Sequence, residues 1–277
     1  MTSIGIIGAG RAGVGLASAL TQAGFVVRLH GRKPEDALPP AIEFSYGELP
    51  AWVADVDVLL LAVRDDALAA LAAELARAGD LGERQVVLHL SGVLDATVLA
   101  SLRSCGCKLG SLHPLQSLSD PETAAERLRG AAAAIEGDAE AVDQAEKITT
   151  ALGLKPLRIT SESKPLYHAA AVFASNYIVA VAAAAHQLLE RAGVSPEDAR
   201  EALVPIFRGT VENIVRRGPA GALTGPIARG DIATIRKHLN VLSTREAALY
   251  RELGHATLNL ALLGDDERES VERELGE

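Results

Sequence analysis

The sequence predicts an α/β domain built on a parallel sheet, residues 1–160, followed by an all-α domain, residues 161–277. Three observations predict this. From Ser3 to about Ile159, short Val/Ile/Leu runs alternate with Ala/Leu segments of helical period, the pattern of a parallel sheet with helices on its faces. After Thr160-Ser161-Glu162-Ser163 the strand signal stops and helix start and stop residues take over. The length of 277 residues, 48% of them hydrophobic and 23% charged, suits one or two domains and lets the chain bury about three quarters of its unfolded surface, which excludes disorder.

Taken in order, the apolar runs 4–7, 25–30, 42–44, 56–63, 85–90, 108–112, 131–136 and 156–159 are the expected strands. Residues 12–23, 66–78, 95–102 and 138–152 are the expected helices between them. In the second half, Pro165 suits the first turn of a helix running to about Arg191, and Gly193 suits its end. Ser195-Pro196-Glu197-Asp198 starts another helix, Asp231 is a natural N-cap, and Ser243-Thr244-Arg245-Glu246 reads as a capping box.

Composition narrows the function. Net charge is −9, of which the seven acids and two arginines of residues 265–277 supply −5, so no basic field exists to attract a phosphate backbone. Aromatic residues at 3% are too few for a base-stacking platform, and nucleic acid is not an expected partner. The acidic tail reads as a solvated helix or a frayed end. No apolar run free of Gly, Pro and charge is expected to reach the roughly 20 residues of a membrane span. With no basic segment before an apolar stretch at the N-terminus, the expected location is the cytoplasm. Cys105 and Cys107 are too close for an unstrained bridge and too few for a zinc site, so no metal is expected. Residues 167–189 are apolar around most of a helix; such a segment wants cover, and a homodimer packed through it is the expectation that a monomer in light scattering would overturn.

The strongest motif is Gly8-Ala9-Gly10-Arg11-Ala12-Gly13, between the first strand and the first helix. Gly8 permits the tight turn, Gly10 lets the backbone approach a pyrophosphate, and Gly13 lets helix and strand pack closely, while the helix N-terminus offers unpaired N–H groups to the anion. This is a Rossmann-type dinucleotide site. Its second strand ends in His30-Gly31-Arg32-Lys33, with no acid before Glu35 to hold a ribose 2′-hydroxyl. Gly31, Arg32 and Lys33 suit a 2′-phosphate instead, so NADP is the expected cofactor. Val63 and Ser91 lie at carboxyl ends of later strands, where ligands bind in such sheets, and are expected cofactor contacts.

His113 and Gln116 sit at the end of the sixth strand, where a proton donor or a carboxylate holder is useful. Lys164, His168, Ser175 and Asn176 form a second cluster. At 100° per residue Lys164 and Ser175 fall within about 40° of His168 and Asn176 about 80° away, so the four can share one side of a helix. The loop from Leu223 to Asp231 offers Thr224 and Arg229, with His238 two turns on, for an acidic substrate group; a capped turn with a solvated arginine is the plain alternative.

Together the glycine motif, Leu112-His113-Pro114-Leu115-Gln116, the Lys164…His168…Asn176 helix and the 223–231 loop resemble a bacterial family that pairs a Rossmann-like domain with a helical C-terminal domain of unknown function. Its members are labelled NADP- or deazaflavin-dependent oxidoreductases. More distantly the chain is similar to the 6-phosphogluconate dehydrogenase-like superfamily. In its β-hydroxyacid branch a lysine and an asparagine one helical turn later hold and protonate the substrate. Lys164 matches that lysine, but His168 stands where the asparagine would be, so the mechanism does not transfer directly.

The resulting expectation is an NADP(H)-dependent oxidoreductase acting on a small, acidic carbonyl or imine substrate. Lys164 or His168 is the expected general acid and His113 the competitor, with Asn176 and Ser175 orienting and Arg229 with Thr224 holding the acid group. Two other readings stay open: hydride transfer between a deazaflavin and NADP, and a non-catalytic sensor of the nucleotide.

Overall fold

The structure is a computed structural model that describes residues 2–34, 38–39, 41–118 and 120–276. Glu35 lies outside the described residues. The chain divides into two compact units, Met1–Asn176 and Tyr177–Glu277.

The first unit carries eight strands: β1 (Ser3–Ile7), β2 (Val26–Gly31), β3 (Glu43–Tyr46), β4 (Val58–Leu61), β5 (Val86–His89), β6 (Lys108–Pro114), β7 (Ala132–Gly137) and β8 (Lys155–Arg158). They form one sheet in the order β3-β2-β1-β4-β5-β6-β7-β8. The order reverses at β1, which places the carboxyl ends of β1 and β4 side by side at the switch point where such sheets bind ligands. Every strand expected from the apolar runs is present. The sheet is mostly parallel, with one correction: β7 runs antiparallel to β6, and β8 follows β7. The physical reason lies in the connection. Between Pro114 and Ala132 the described chain holds a single short helix, α3 (Ala124–Leu128), too little to cross the sheet and re-enter from the other edge.

The alternation of side chains along a strand builds two cores. Ile4, Ile6, Val58 and Leu60 face one side with Leu16, Leu20 and Ile148. Ile7, Leu59 and Leu61 face the other with Leu68, Leu75 and Leu99. Covering helices are α1 (Arg11–Gln22), α2 (Asp65–Ala78) and α4 (Ala139–Ala151). The helix expected at 95–102 is a 3₁₀ segment, Ala96–Cys105, whose N-cap Asp95 accepts from the Thr97 N–H. Thr97 and Val98 are β-branched and the Ser104 hydroxyl bonds the Ser101 carbonyl, which favours this tighter winding over an α-helix.

The remaining helices are α5 (Lys164–Ala174), α6 (Asn176–Arg191), α7 (Pro196–Ala222), α8 (Ile232–Val241), α9 (Thr244–Leu258) and α10 (Asp265–Leu275). The single helix expected from Pro165 to Arg191 is interrupted at Ser175, which has φ −127° and ψ −72°. Ser175 and Asn176 are poor helix formers side by side, and their side chains compete for the backbone. Residues Ser161–Arg191 are nonetheless long and apolar enough, by length and composition, to cross a membrane, which corrects the expectation that no such run exists. The break at Ser175 divides that stretch into helices of 11 and 16 residues, each shorter than the ~20 residues of an unbroken span. Leu166, Val179, Val204, Ile206 and Val215 on α5 to α7 are exposed.

The acidic tail is also corrected. It is neither frayed nor wholly solvated: α10 buries Val271 and Leu275 against Ile227, Ile235 and Leu258. Arg236 Nε donates to Glu274 at 3.0 Å on its rim. The two apolar residues four apart supply a stripe that outweighs the repulsion among the surface acids.

Candidate functional site

The turn from β1 into α1 does what its glycines require. Gly8 has φ +121°, and a Cβ there would lie 2.4 Å from the Ala62 carbonyl oxygen, so only glycine fits beside β4. A Cβ at Gly13 would lie 1.8 Å from the Gly8 oxygen, which is how closely helix and strand pack. Gly10 is different: nothing stands within 4 Å of its missing side chain. It is the N-cap of α1, with no side-chain cap, so the N–H groups of the first turn face open space with the positive end of the helix dipole behind them. Gly10 and Arg11 are exposed, with Ala9 and Ala12 partly so. The residues present therefore fit the pyrophosphate of a dinucleotide.

Register brings the second part of the site alongside. Ile7 pairs with His30 and the Gly8 N–H donates to the His30 carbonyl at 2.8 Å, so Arg32 and Lys33, both exposed, follow the end of β2 beside the glycine turn. Gly31 is buried against Ala9, where a Cβ would lie 2.9 Å from the Ala9 methyl. His30 points inward and its Nδ1 meets the Ser45 hydroxyl at 3.0 Å; burial lowers its pKa. Val63, half-buried, follows β4 at the same edge.

Around the carboxyl end of β5, where β6 and the antiparallel β7 run alongside, the sequence candidates separate into two layers. The deeper layer is Lys164, Glu136, Ser111, Ser91 and His89, all buried. Lys164 Nζ donates to the Ser91 carbonyl at 3.1 Å, to the Ser111 hydroxyl at 2.5 Å and to Glu136 Oε1 at 3.4 Å. Desolvation lowers the lysine pKa, and the Glu136 carboxylate opposes that. Ser91 uses its hydroxyl to accept from the Val93 and Leu94 N–H groups. His89 Nδ1 accepts from the Ser91 N–H at 3.1 Å, which leaves Nε2 as the protonated nitrogen donating to the Asp95 carbonyl at 3.1 Å.

The outer layer is His113, Tyr167 and His168, each partly exposed. His113 Nδ1 lies 2.9 Å from the Tyr167 hydroxyl, which also lies 3.4 Å from the His113 carbonyl oxygen. When the tyrosine proton goes to the carbonyl, Nδ1–H donates to the phenol oxygen and Nε2 is a free base; when it goes to Nδ1, Nε2 carries the proton. The pair thus has one arrangement that gives a proton at Nε2 and one that takes it. His168 stands edge-on to His113 with ring centroids 6.1 Å apart. Gly92 makes room for both, since a Cβ there would lie 2.6 Å from His168 Cδ2 and 2.8 Å from His113 Nε2.

The four-residue helix face expected from 164 to 176 does not form. Lys164 is fully buried, His168 is partly exposed, and Ser175 and Asn176 are exposed beyond the start of the break. Gln116 is exposed and used locally, donating to the Arg127 carbonyl and accepting from the Ser117 N–H. In the second unit Thr224 and Arg229 are exposed, and His238 Nδ1 meets the Tyr250 hydroxyl at 3.0 Å. Sequence reasoning assigned no role to Tyr167 or Glu136. Glu136 had a readable signal, an acid ending an apolar strand, which burial obliges to find a base.

Burial, with the neighbouring His168 and Lys164 charges, pushes the His113 pKa down to about 4; burial and then Lys164 do the same for His89, also to about 4. An unfolded imidazole takes its proton near pH 6.5, so between pH 6.5 and 4 the unfolded chain binds protons that the fold refuses, and stability falls as pH falls. Each residue is expected to remove about 2 to 3 kcal/mol between pH 7 and pH 4.5. Urea unfolding at the two pH values measures this, and His113→Gln should show a smaller drop than the wild type; an equal drop would refute the assignment.

A parallel sheet whose first turn opens a bare helix N-terminus, followed by a helical region, defines the class as Rossmann-type. Residues 1–114 match the family model described as a Rossmann-like domain, and residues 131–257 match the Domain of unknown function (DUF2520). The chain is a Rossmann-like protein carrying a DUF2520 domain, the pairing that its motifs resemble. Among solved structures it is similar to a candidate NADP oxidoreductase from Bacteroides fragilis, at 24% identity and TM-score 0.74 over 93% of this chain and 98% of that one. A protein from Thermotoga maritima matches at 24% identity and TM-score 0.69, also over 93% and 98%. Pyrroline carboxylate reductase from Plasmodium falciparum, solved with NADP bound, matches at 13% identity and TM-score 0.59 over 99% of this chain and 98% of that one. No curated protein matches.

Proposed function

We propose that the protein is an NADP(H)-dependent oxidoreductase acting on a small carbonyl or imine substrate. The observation that carries this reading is the open cradle at Gly10, flanked by Arg32 and Lys33 and set on the sheet edge that also holds His113. The first-turn amides of α1 hold the pyrophosphate, and the Arg32 guanidinium with Lys33 neutralises the 2′-phosphate. Bound NADPH supplies the hydride. The chain supplies the proton: His113 is neutral and, in the tautomer that carries its proton on Nε2, gives that proton to the substrate heteroatom while the Tyr167 hydroxyl passes its own to Nδ1, leaving a phenolate that solvent reprotonates. The names of the similar solved proteins, an NADP oxidoreductase and a pyrroline carboxylate reductase with NADP bound, support the same reaction class.

Calorimetry with NADPH and NADH tests the cofactor. Wild type is expected to prefer NADPH by at least about tenfold, or about 1.4 kcal/mol, and Arg32→Ala is expected to remove most of that preference. An unchanged ratio in the variant would remove Arg32 from the site. Transfer of isotopically labelled hydride from NADPH across a panel of small ketones, imines and keto acids tests the reaction.

A further inference from the structure

We infer that Lys164 is a positioning residue: with Glu136 it forms a buried charged strut that ties the first turn of α5 to the turn after β5 and to β6 and β7, and thereby sets the His113–Tyr167 pair against the Ser91–Gly92 turn. The inference rests on the proposed role of His113 and departs from the expectation that Lys164 itself donates the proton.

The geometry carries it. Lys164 and Glu136 are both buried side chains, with side-chain exposures of 0% and 2%. The three Nζ bonds reach three neighbouring strands: the Ser91 carbonyl just after β5, the Ser111 hydroxyl in the middle of β6 and Glu136 on the antiparallel β7. An ammonium has three protons, so none remains for a substrate. Glu136 is equally committed. Oε1 accepts from Ser111 Oγ at 2.6 Å, and Oε2 accepts from Ser161 Oγ at 3.1 Å and from the Ala96 N–H at 3.4 Å.

What the strut holds is the outer layer. Ser91 is bonded through its carbonyl to Lys164, and Gly92, the next residue, sits between the two imidazoles. Tyr167 follows Lys164 by three residues, so the tyrosine that meets His113 rides on the helical turn anchored by the lysine. His113 lies two residues beyond Ser111 on the same strand face alternation. Moving Lys164 therefore moves both partners of His113. The charged and titratable groups acting on His113 are His168, Tyr167 and Lys164 from α5, His89 from β5 and Asp65 from the start of α2.

Two measurements test the strut without a known substrate. Reductive methylation of the folded wild-type chain with formaldehyde and a hydride donor, read by peptide mass spectrometry, is expected to modify the exposed Lys147 and Lys155 and to leave Lys164 unmodified. Modification of Lys164 at the rate of the surface lysines would overturn the inference. Nuclear magnetic resonance titration of the His113 ring then compares wild type, Lys164→Met, Glu136→Gln and the double variant Lys164→Met/Glu136→Leu. Losing the lysine charge should raise the His113 midpoint by at least about half a unit, and the Nδ1 signal should lose its hydrogen-bonded shift in either single variant. An unchanged midpoint and Nδ1 shift in Lys164→Met would overturn the inference, as would unchanged spectra in Glu136→Gln. Should a single variant fail to fold, the double variant, which leaves no unpaired buried charge, carries the titration. NADPH affinity is expected to stay within about threefold of wild type in all folded variants. Failure of the wild type to bind NADPH would remove the proposed function and leave the strut measurements standing.

Discussion

Gly10→Val is expected to leave the fold intact and to abolish NADPH binding. Nothing lies within 4 Å of an added Cβ and the backbone is extended, with φ −78° and ψ 177°, so a valine Cβ has open space and no strained dihedral. The branched side chain would stand in the space in front of the first-turn amides, where a pyrophosphate must come within hydrogen-bond distance of the backbone. A loss of at least about a hundredfold in NADPH affinity, about 2.7 kcal/mol, is expected, with thermal midpoint unchanged. Gly13→Val is the control of opposite kind. Its Cβ would sit 1.8 Å from the Gly8 oxygen, so helix and strand must part, and both stability and binding should fail. Calorimetry and thermal unfolding on the two variants separate these outcomes; Gly10→Val binding NADPH like wild type would defeat the anion-seat reading.

Glu136→Ala is expected to lower stability by about 3 to 5 kcal/mol, since it strands a buried ammonium and removes the acceptor for Ser111, Ser161 and the Ala96 N–H. Against a total of roughly 5 to 15 kcal/mol for a typical protein, that is a large share. The double variant Glu136→Leu/Lys164→Met removes both charges and fills their volume with apolar atoms, so it should recover most of the loss. Urea unfolding of both variants decides it. If the double variant is as unstable as the single one, the pair is not the energetic unit that its geometry indicates.

The glycine turn was legible because its chemistry is local. Gly8, Gly10 and Gly13 act through backbone dihedrals and close approach within six residues, and such constraints are written directly in residue type and spacing. The inner strands were legible for a similar reason, since burial on both faces demands continuous apolar runs, whereas the edge strands β3 and β8 have no buried residue and showed only as short runs. The direction of β7 was not, because it depends on whether the chain after Pro114 crosses the sheet, and no residue there encodes that. The grouping of Lys164, His168, Ser175 and Asn176 was misjudged because helical geometry was extended through a point where Ser175 breaks it.

Chain order and residue type alone settled the Rossmann-like architecture, the bare helix N-terminus and the basic pair beyond the second strand, since each follows from short-range sterics, periodicity or charge. Packing settled which polar groups are spent and which are free. Glu136, Ser111, Ser91 and Lys164 stand up to 73 residues apart in sequence, and only the folded sheet edge brings them within hydrogen-bond distance, where desolvation obliges each charge to find its partner. The same convergence leaves His113 and Tyr167, a pair 54 residues apart, on the outer side with a proton to exchange.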